Sequence, residues 1–390
     1  MKLNKMLIML FAILLLLLVG CLNNEDEFSV KNHNKHQLET STEKEQLNLV
    51  PKTTSIQLAA IGDMLIHERV YNDAQTELGY NFMPMLQKVV PYLSEPTITM
   101  ANQETMIGGE GIGLSTYPQF NSPYQVGDGL KEAGVDIVSL ANNHTLDRGE
   151  EAIQNALNYW DEIDMNYTGA YKNEADSQEI RILEEEDIAI SFLSYTYGTN
   201  GLPVPEGKDY LVNLIDQEAM SSDVKDAEEV SDVIVMNLHF GTEYERMPND
   251  EQKELVQYVA DLGVDIIIGH HPHVLQPMEW VEGKSGNKTF VAYSLGNFLS
   301  GQDEFYRRIG GMVELTVEKT VEKGEEKIEI SAPKFLPTLV DYNDHGPKNY
   351  QVLPMYKVTN SQLVDVATQY QEIKAHMSQW MPELEFIESN

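Results

Sequence analysis

Beyond its first fifty or so residues the chain alternates short apolar runs, rich in β-branched residues, with stretches whose apolar positions recur at helical spacing. The runs are 56–61, 97–100, 136–140, 188–195, 232–238, 264–268 and 290–294, each read as a buried strand. Segments 151–159 and 249–262 place apolar side chains three and four apart, the pattern of a helix with one buried face. Strands alternating with helices predict an α/β layered fold. Residues 311–330 differ, with alternating Val, Leu and Ile around Glu322-Lys323-Gly324-Glu325-Glu326. That alternation predicts an antiparallel hairpin closing the sheet. Residues 361–377 predict a terminal helix, and no internal repeat is visible.

The first residues follow another pattern. Lys2 and Lys5 precede an unbroken apolar run over 6–19, and Leu18-Val19-Gly20-Cys21 follows. The run is shorter than the roughly 20 residues of a spanning helix and suits a signal peptide. The four residues resemble the lipobox of bacterial lipoproteins, in which the cysteine is acylated and becomes the new N-terminus. The expectation is a signal peptide over 1–21, lipid attachment at Cys21 and a protein on the extracytoplasmic face of the cell membrane. The competing reading is an uncleaved anchor. Residues 22–54, polar and without periodicity, read as a disordered linker. The folded domain is then expected over 55–345, with a helical C-terminal extension, 346–390, packed on it.

Composition narrows the partners. The 390 residues include 27 basic and 62 acidic side chains, a formal net charge of −35. Nucleic acid is excluded as a partner, because neutralising phosphates takes Lys and Arg. Cys21 is the single cysteine, so no intramolecular disulfide forms, and any metal site must use nitrogen and oxygen ligands.

The candidate chemistry stands just beyond the strand ends. Gly62-Asp63, Asn102-Gln103-Glu104, Ala141-Asn142-Asn143-His144, His239-Phe240-Gly241-Thr242-Glu243, Gly269-His270-His271-Pro272-His273 and Gly296-Asn297 each follow an apolar run. In open α/β sheets ligands bind at the carboxyl ends of strands. Six such ends would line one pocket with carboxylates, carboxamides and imidazoles, a set suited to one or two divalent metal ions: Mn, Fe or Zn, with Mg as a further option. Two cations can activate water and clamp a phosphoryl or carbonyl oxygen. Asn142 reads as an Asx turn. His270 reads as a group orienting a metal ligand from behind or as core, Glu243 as a histidine support or a surface carboxylate, Asn297 as a turn residue beside the pocket, and His67 as a ligand or a bystander.

Taken in order with Thr145-Leu146-Asp147, Tyr244, Val274-Leu275-Gln276 and Ser294-Leu295-Gly296-Asn297-Phe298, these blocks resemble the CapA family, associated with poly-γ-glutamate capsule synthesis and related to calcineurin-like metallophosphoesterases. The resemblance runs from about residue 56 to 345. It implies a four-layer α/β/β/α sandwich of the metallophosphoesterase type. It also implies metal ligands at Asp63, Glu104, Asn143, His239, His271 and His273, with His144 as general acid. There are two departures. The superfamily's Asp-x-His is here Asp63-Met64-Leu65, and its bridging Asp is replaced by Glu104, so one metal position is weak or is filled through His67. The implied function is a metal-dependent hydrolase of phosphoester or amide bonds that helps make, export or attach an anionic capsule polymer beside membrane-bound synthesis proteins. The alternatives are a non-catalytic assembly lipoprotein on the same scaffold, and a solute-binding lipoprotein.

Overall fold

The computed structural model describes residues 51–343 and 348–389. Cys21, the 1–21 segment, nearly all of the expected linker and the expected boundary at 345 lie outside the described residues. The described residues within 53–321 and 326–389 cluster as one compact unit. Among the described residues no helix is long and apolar enough to cross a membrane.

The chain builds two sheets in succession and then returns to the first. β1 (Lys52–Leu65) begins the first sheet, so the last residues assigned to the linker are already strand. A small hairpin, β2 (Gln75–Thr76) with β3 (Gly79–Tyr80), precedes β4 (Ile98–Gln103), β5 (Ile137–Ser139) and β6 (Asn166–Thr168). β1, β4, β5 and β6 run parallel in that order. The second sheet comprises β7 (Arg181–Glu185), β8 (Ile188–Thr196), β9 (Val233–His239), β10 (Ile266–His270), β11 (Leu275–Glu282) and β12 (Lys288–Leu295), in the order β11-β12-β10-β9-β8-β7. β8, β9, β10 and β12 are parallel, and the edges β7 and β11 are antiparallel. β13 (Asn297–Ser300) then pairs with β1, and the hairpin β14 (Ile309–Glu322) and β15 (Glu325–Asp341) extends the first sheet beyond it. The C-terminal segment carries the helix Val366–Met377, and it also supplies β16 (Gln351–Pro354) and β17 (Glu385–Phe386), both paired with β15.

Alternation along the strands makes this a four-layer α/β/β/α sandwich. Ile56, Leu58 and Ala60 of β1 meet Val233, Val235, Ile266 and Ile268 of the other sheet in a core between the sheets. The intervening Ala59 and Ile61 face outward onto Leu130 and Trp160, from the helices Gln125–Ala133 and Gly149–Glu162. On the far side Ile234, Met236 and Ile267 pack on Val224 and Val256, from the helices Gln217–Glu228 and Asp250–Leu262. Strands covered on both faces read as continuous apolar runs, as parallel sheets require. The architecture is the one implied by the family resemblance.

An aspartate stands before each of three parallel strands and clasps its neighbour. Asp136, Asp232 and Asp265 each donate a backbone N–H to Thr99, Ala189 and Ile234 respectively, and accept that residue's N–H on their own carboxylate at 2.8–2.9 Å. Burial pushes Asp265 up to about 6, with the hydrogen bond from Ile234 only partly opposing it. A carboxyl raised in the native state contributes stability below its unfolded value of 3.8, and that contribution is lost as pH rises through about 6. The full cost at neutral pH is about 3 kcal/mol, and the residue's remaining exposure reduces it to about 1–2 kcal/mol. Asp265→Asn keeps the acceptor without the charge. It should therefore be more stable than wild type by about 1–2 kcal/mol at pH 7.5, with the gap closing toward pH 4, as read by urea unfolding. A variant less stable at both pH values would contradict this account of the clasp.

Candidate metal centre

Two glycines allow the close backbone approaches that set the polar strand ends. A Cβ on Gly62 would lie 2.1 Å from the Gly296 carbonyl oxygen, and one on Gly269 would lie 2.0 Å from that of Tyr293. Only glycine permits such approaches. The first lets Asp63 donate its N–H to Gly296 O at 2.8 Å, and the second sets His270 at the end of β10, in register with His239 of β9. Asp63 in turn sits opposite Asn102 of β4 and Asn297 of β13.

Asp63 is fully buried and held on one side. Its Oδ1 accepts from Asn102 Nδ2 at 2.9 Å and from His270 Nδ1 at 3.1 Å. Its Oδ2 lies 3.3 Å from His273 Nδ1, an ion-pair distance without hydrogen-bond angles, because that nitrogen is directed to Asn297 Oδ1 at 3.1 Å. Burial alone would raise Asp63, but the two histidines outweigh it and hold the carboxyl well below the usual carboxylate range. Asn297 Nδ2 donates to the Arg307 and His273 carbonyls, which turns its Oδ1 toward His273. His273 therefore carries a proton on Nδ1 and directs Nε2 toward Glu104 Oε1, 3.6 Å away.

Glu104 is the centre of the cluster. It is 0% exposed, and neither carboxylate oxygen has a hydrogen-bond partner. His239 Nε2 is also 3.6 Å from its Oε1. Burial, helped by the charges of Asp63, Glu243 and Asp147, pushes Glu104 well above its usual range against the opposing pull of His273. Burial lowers His271 to about 3 and His239 well below its usual value, favouring neutral, ligand-ready imidazoles. His273 is the exception. Burial would lower it, yet Glu104 and Asp63 raise it to about 9.

Among the described residues, Glu104, His271 and His273 bring ligand atoms within 4.8 Å of one another. Asp63 Oδ2, His239 Nδ1 and His271 Nδ1 are likewise buried without hydrogen bonds. Buried polar atoms are seldom left unpaired, and a charge buried alone is costly. An all-nitrogen and oxygen donor set with vacant lone pairs fits a divalent cation of the Zn, Mn or Fe kind. The backbone agrees, for His271 and His273 are both left-handed, with φ of 99° and 57°. Bulky residues in that region carry strain, which concentrates at functional sites.

The other candidates take distinct places. Asn143 joins the cluster by accepting from His239 Nε2 at 2.9 Å, and its Nδ2 donates to Asn200 Oδ1 at 3.3 Å. His144 donates from Nδ1 to Asp147 Oδ2 at 2.7 Å and meets the Phe120 ring edge-on at 4.7 Å. Asn142 accepts the His144 N–H and so shapes the turn that presents both. Although its ring meets Phe120, which also meets His144, His67 is not among the grouped ligand donors. Its Nδ1 lies 3.0 Å from Leu65 O and 3.2 Å from the Gly301 N–H, and burial lowers it to about 4. Glu243 is exposed, and its charge reaches Glu104 and Tyr197 from outside the cluster.

Sequence reading assigned no role to Asp147, Tyr197 or Asn200. Asp147 carried a signal, since His-x-x-Asp places a carboxylate one turn from the histidine. Tyr197, whose ring lies 4.7 Å from His271, and Asn200 come from the loop after β8, which has no periodicity to read.

Comparison with known proteins agrees with the ordered blocks. Residues 57–302, more than half of the chain, match the family model described as bacterial capsule synthesis protein PGA_cap. The PGA biosynthesis protein CapA of Bacillus subtilis (strain 168) is 30% identical over 192 residues, covering 49% of each chain. The capsule biosynthesis protein CapA of Bacillus anthracis is 34% identical over 179 residues, covering 44% of this chain and 42% of its own. The chain thus spans about half the length of these curated relatives. Among solved structures, a hypothetical protein from Thermus thermophilus aligns with a TM-score of 0.38 and 16% identity, over 72% of this chain and 99% of its own. On the family match and its CapA relatives, the chain belongs to the bacterial capsule synthesis protein family PGA_cap, the CapA family.

Proposed function

We propose that this CapA-family protein is a metal-dependent hydrolase, anchored through Cys21 outside the cytoplasm, that acts on an anionic capsule polymer or its precursor during synthesis, export or attachment. One observation carries the reading: the fully buried Glu104, with both oxygens unpartnered, between His239 and His273. Glu104, His271 and His273 would hold the metal, with Asp63, Asn143 and His239 as the remaining candidates. A divalent ion there would polarise a phosphoryl or carbonyl oxygen and make water a better nucleophile at neutral pH.

The chain's own groups supply the rest. Asp63 stays ionised through His270 and His273, so it contributes negative charge whatever the state of Glu104. Asn297 fixes the His273 ring and its tautomer, a role commonly played by groups behind metal-ligating histidines. Asp147, itself anchored by the Phe120 N–H at 2.7 Å, fixes His144 with a proton on Nδ1. Nε2 is then the atom that would protonate a leaving group. Phe120 covers the other side of the ring and keeps water off it.

Elemental analysis of the domain from residue 51 should find one or two equivalents of Mn, Fe or Zn. The double variant His271→Ala, His273→Ala should lose them while keeping its circular dichroism. Wild-type protein that takes up no metal when supplied would leave the assembly-factor reading as the better one. On any phosphodiester or γ-glutamyl amide the metal-loaded protein hydrolyses, Asp147→Asn should lower kcat by about 100-fold or more with metal content unchanged, as expected when a histidine loses the carboxylate that sets its tautomer. An unchanged kcat would remove His144 from the chemistry.

A further inference from the structure

Beside the metal centre two loops are interlocked by a reciprocal pair of stacks. The segment after β9 carries Tyr244 and Arg246, and the short 3-10 turn Phe305–Arg308 after β13 carries Tyr306 and Arg307. Arg307 lies over the Tyr244 ring at 3.5 Å, and Arg246 lies over the Tyr306 ring at 3.9 Å. The two arginines differ in their partners. Arg246 donates through Nη1 to Glu372 of the C-terminal helix at 2.8 Å, which ties it to that helix. Among the described residues Arg307 pairs with Glu304, at 3.2 Å, with 69% of that carboxylate side chain exposed. Exposed pairs of this kind contribute little and exchange readily.

Arg307 is also tied to the site through its backbone. Its carbonyl accepts from Asn297 Nδ2 at 2.8 Å, and Asn297 is the residue that fixes His273. The Tyr244 ring beneath its guanidinium is 6.1 Å from the His273 ring. Tyr244 reaches that position only through a left-handed backbone, φ 68°, pinned by its N–H to the Pro272 carbonyl at 2.8 Å. A residue held in that conformation beside a metal ligand marks a constrained placement of the kind found at functional sites. A chain with 62 acidic and 27 basic residues repels anions over most of its surface, so an anionic substrate needs a local cation at the mouth. A guanidinium flattened on an aromatic face presents its N–H fork in a fixed plane, the geometry that takes carboxylate or phosphate oxygens in pairs.

We propose that Arg307, seated on Tyr244 beside His273, is the specificity-determining residue of this site, binding a second anionic group of the substrate, a carboxylate or a phosphate, next to the group that the metal centre engages. This rests on the metal-centre reading above. Glu304 holds the fork until the substrate displaces it, and Tyr244 sets the distance between the two anionic groups.

The test uses metal-loaded domain, wild type, Arg307→Gln, Arg307→Lys and Glu304→Gln, at fixed free Mn²⁺ with metal content measured for each. Binding is titrated with one-headed anions, acetate and inorganic phosphate, and two-headed ones, glutarate and pyrophosphate. Arg307→Gln should weaken the two-headed anions about tenfold or more, the scale of a lost charged hydrogen bond, while leaving the one-headed ones within about twofold. Arg307→Lys should fall between, and Glu304→Gln should bind the two-headed anions more tightly than wild type. Preference for glutarate over pyrophosphate in wild type would identify the second group as a carboxylate, and the reverse as a phosphate. Equal loss of one-headed and two-headed binding, or no loss of either, with metal content intact, would overturn the role of Arg307 and leave the metal centre standing. Absence of metal from the wild type would overturn both.

Discussion

A glutamate carboxylate buried to the last oxygen, with no hydrogen bond to either, is the constraint around which this molecule is arranged. Placing Glu104 there is unfavourable on its own, since a desolvated carboxylate without a partner costs several kcal/mol. The fold answers by directing three histidines toward the same region from the opposite sheet. His273 places its Nε2 3.6 Å from one oxygen, too long for a hydrogen bond and suited to a shared cation, while His239, whose Nε2 is used on Asn143, keeps a buried Nδ1 without a partner. Asp63 shows the contrast. It is as deeply buried, yet Asn102 and His270 satisfy one of its oxygens, and His270 with His273 keeps it ionised.

The surrounding structure carries the cost of that arrangement. Two sheets must end at the same place, which requires backbone to pass within contact of backbone at Gly62. The turn after β10 must then deliver two imidazoles within three residues, and it does so with His271 and His273 in left-handed conformations. Such strain persists only where the packing around it is over-determined. Here Asn297 and the inter-sheet core supply the determination.

How far this was legible in the sequence depended on how local each feature is. The parallel strands β1, β4, β5, β8, β9, β10 and β12 were visible as apolar runs because each is covered on both faces, and the polar residues at their ends marked the site. The strands that were not read sit where packing overrides pattern. β11 contains Pro277, which argues against a strand until its edge position, with no further partner to bond, removes the objection. β7 is half charged because it is the opposite edge, and β6 and β13 are too short for any period. Glu104 could be named as a ligand by its place after β4, but not as the unpartnered centre, since that depends on histidines more than a hundred residues away. Arg307 acts through a neighbour that only the folded loops bring near, and no spacing in the chain foretells its place on Tyr244.

The central claim is that a cation completes the Glu104 cluster, and the most direct measurement is unfolding free energy by urea with and without saturating Mn²⁺ or Zn²⁺, for wild type and Glu104→Gln. A ligand that binds only the native state stabilises it by about 2.7 kcal/mol at a hundredfold excess over Kd. The account predicts a gain of that order in wild type and little or none in Glu104→Gln, with the metal-free variant at least as stable as metal-free wild type. Wild-type stability indifferent to every divalent ion supplied would contradict it.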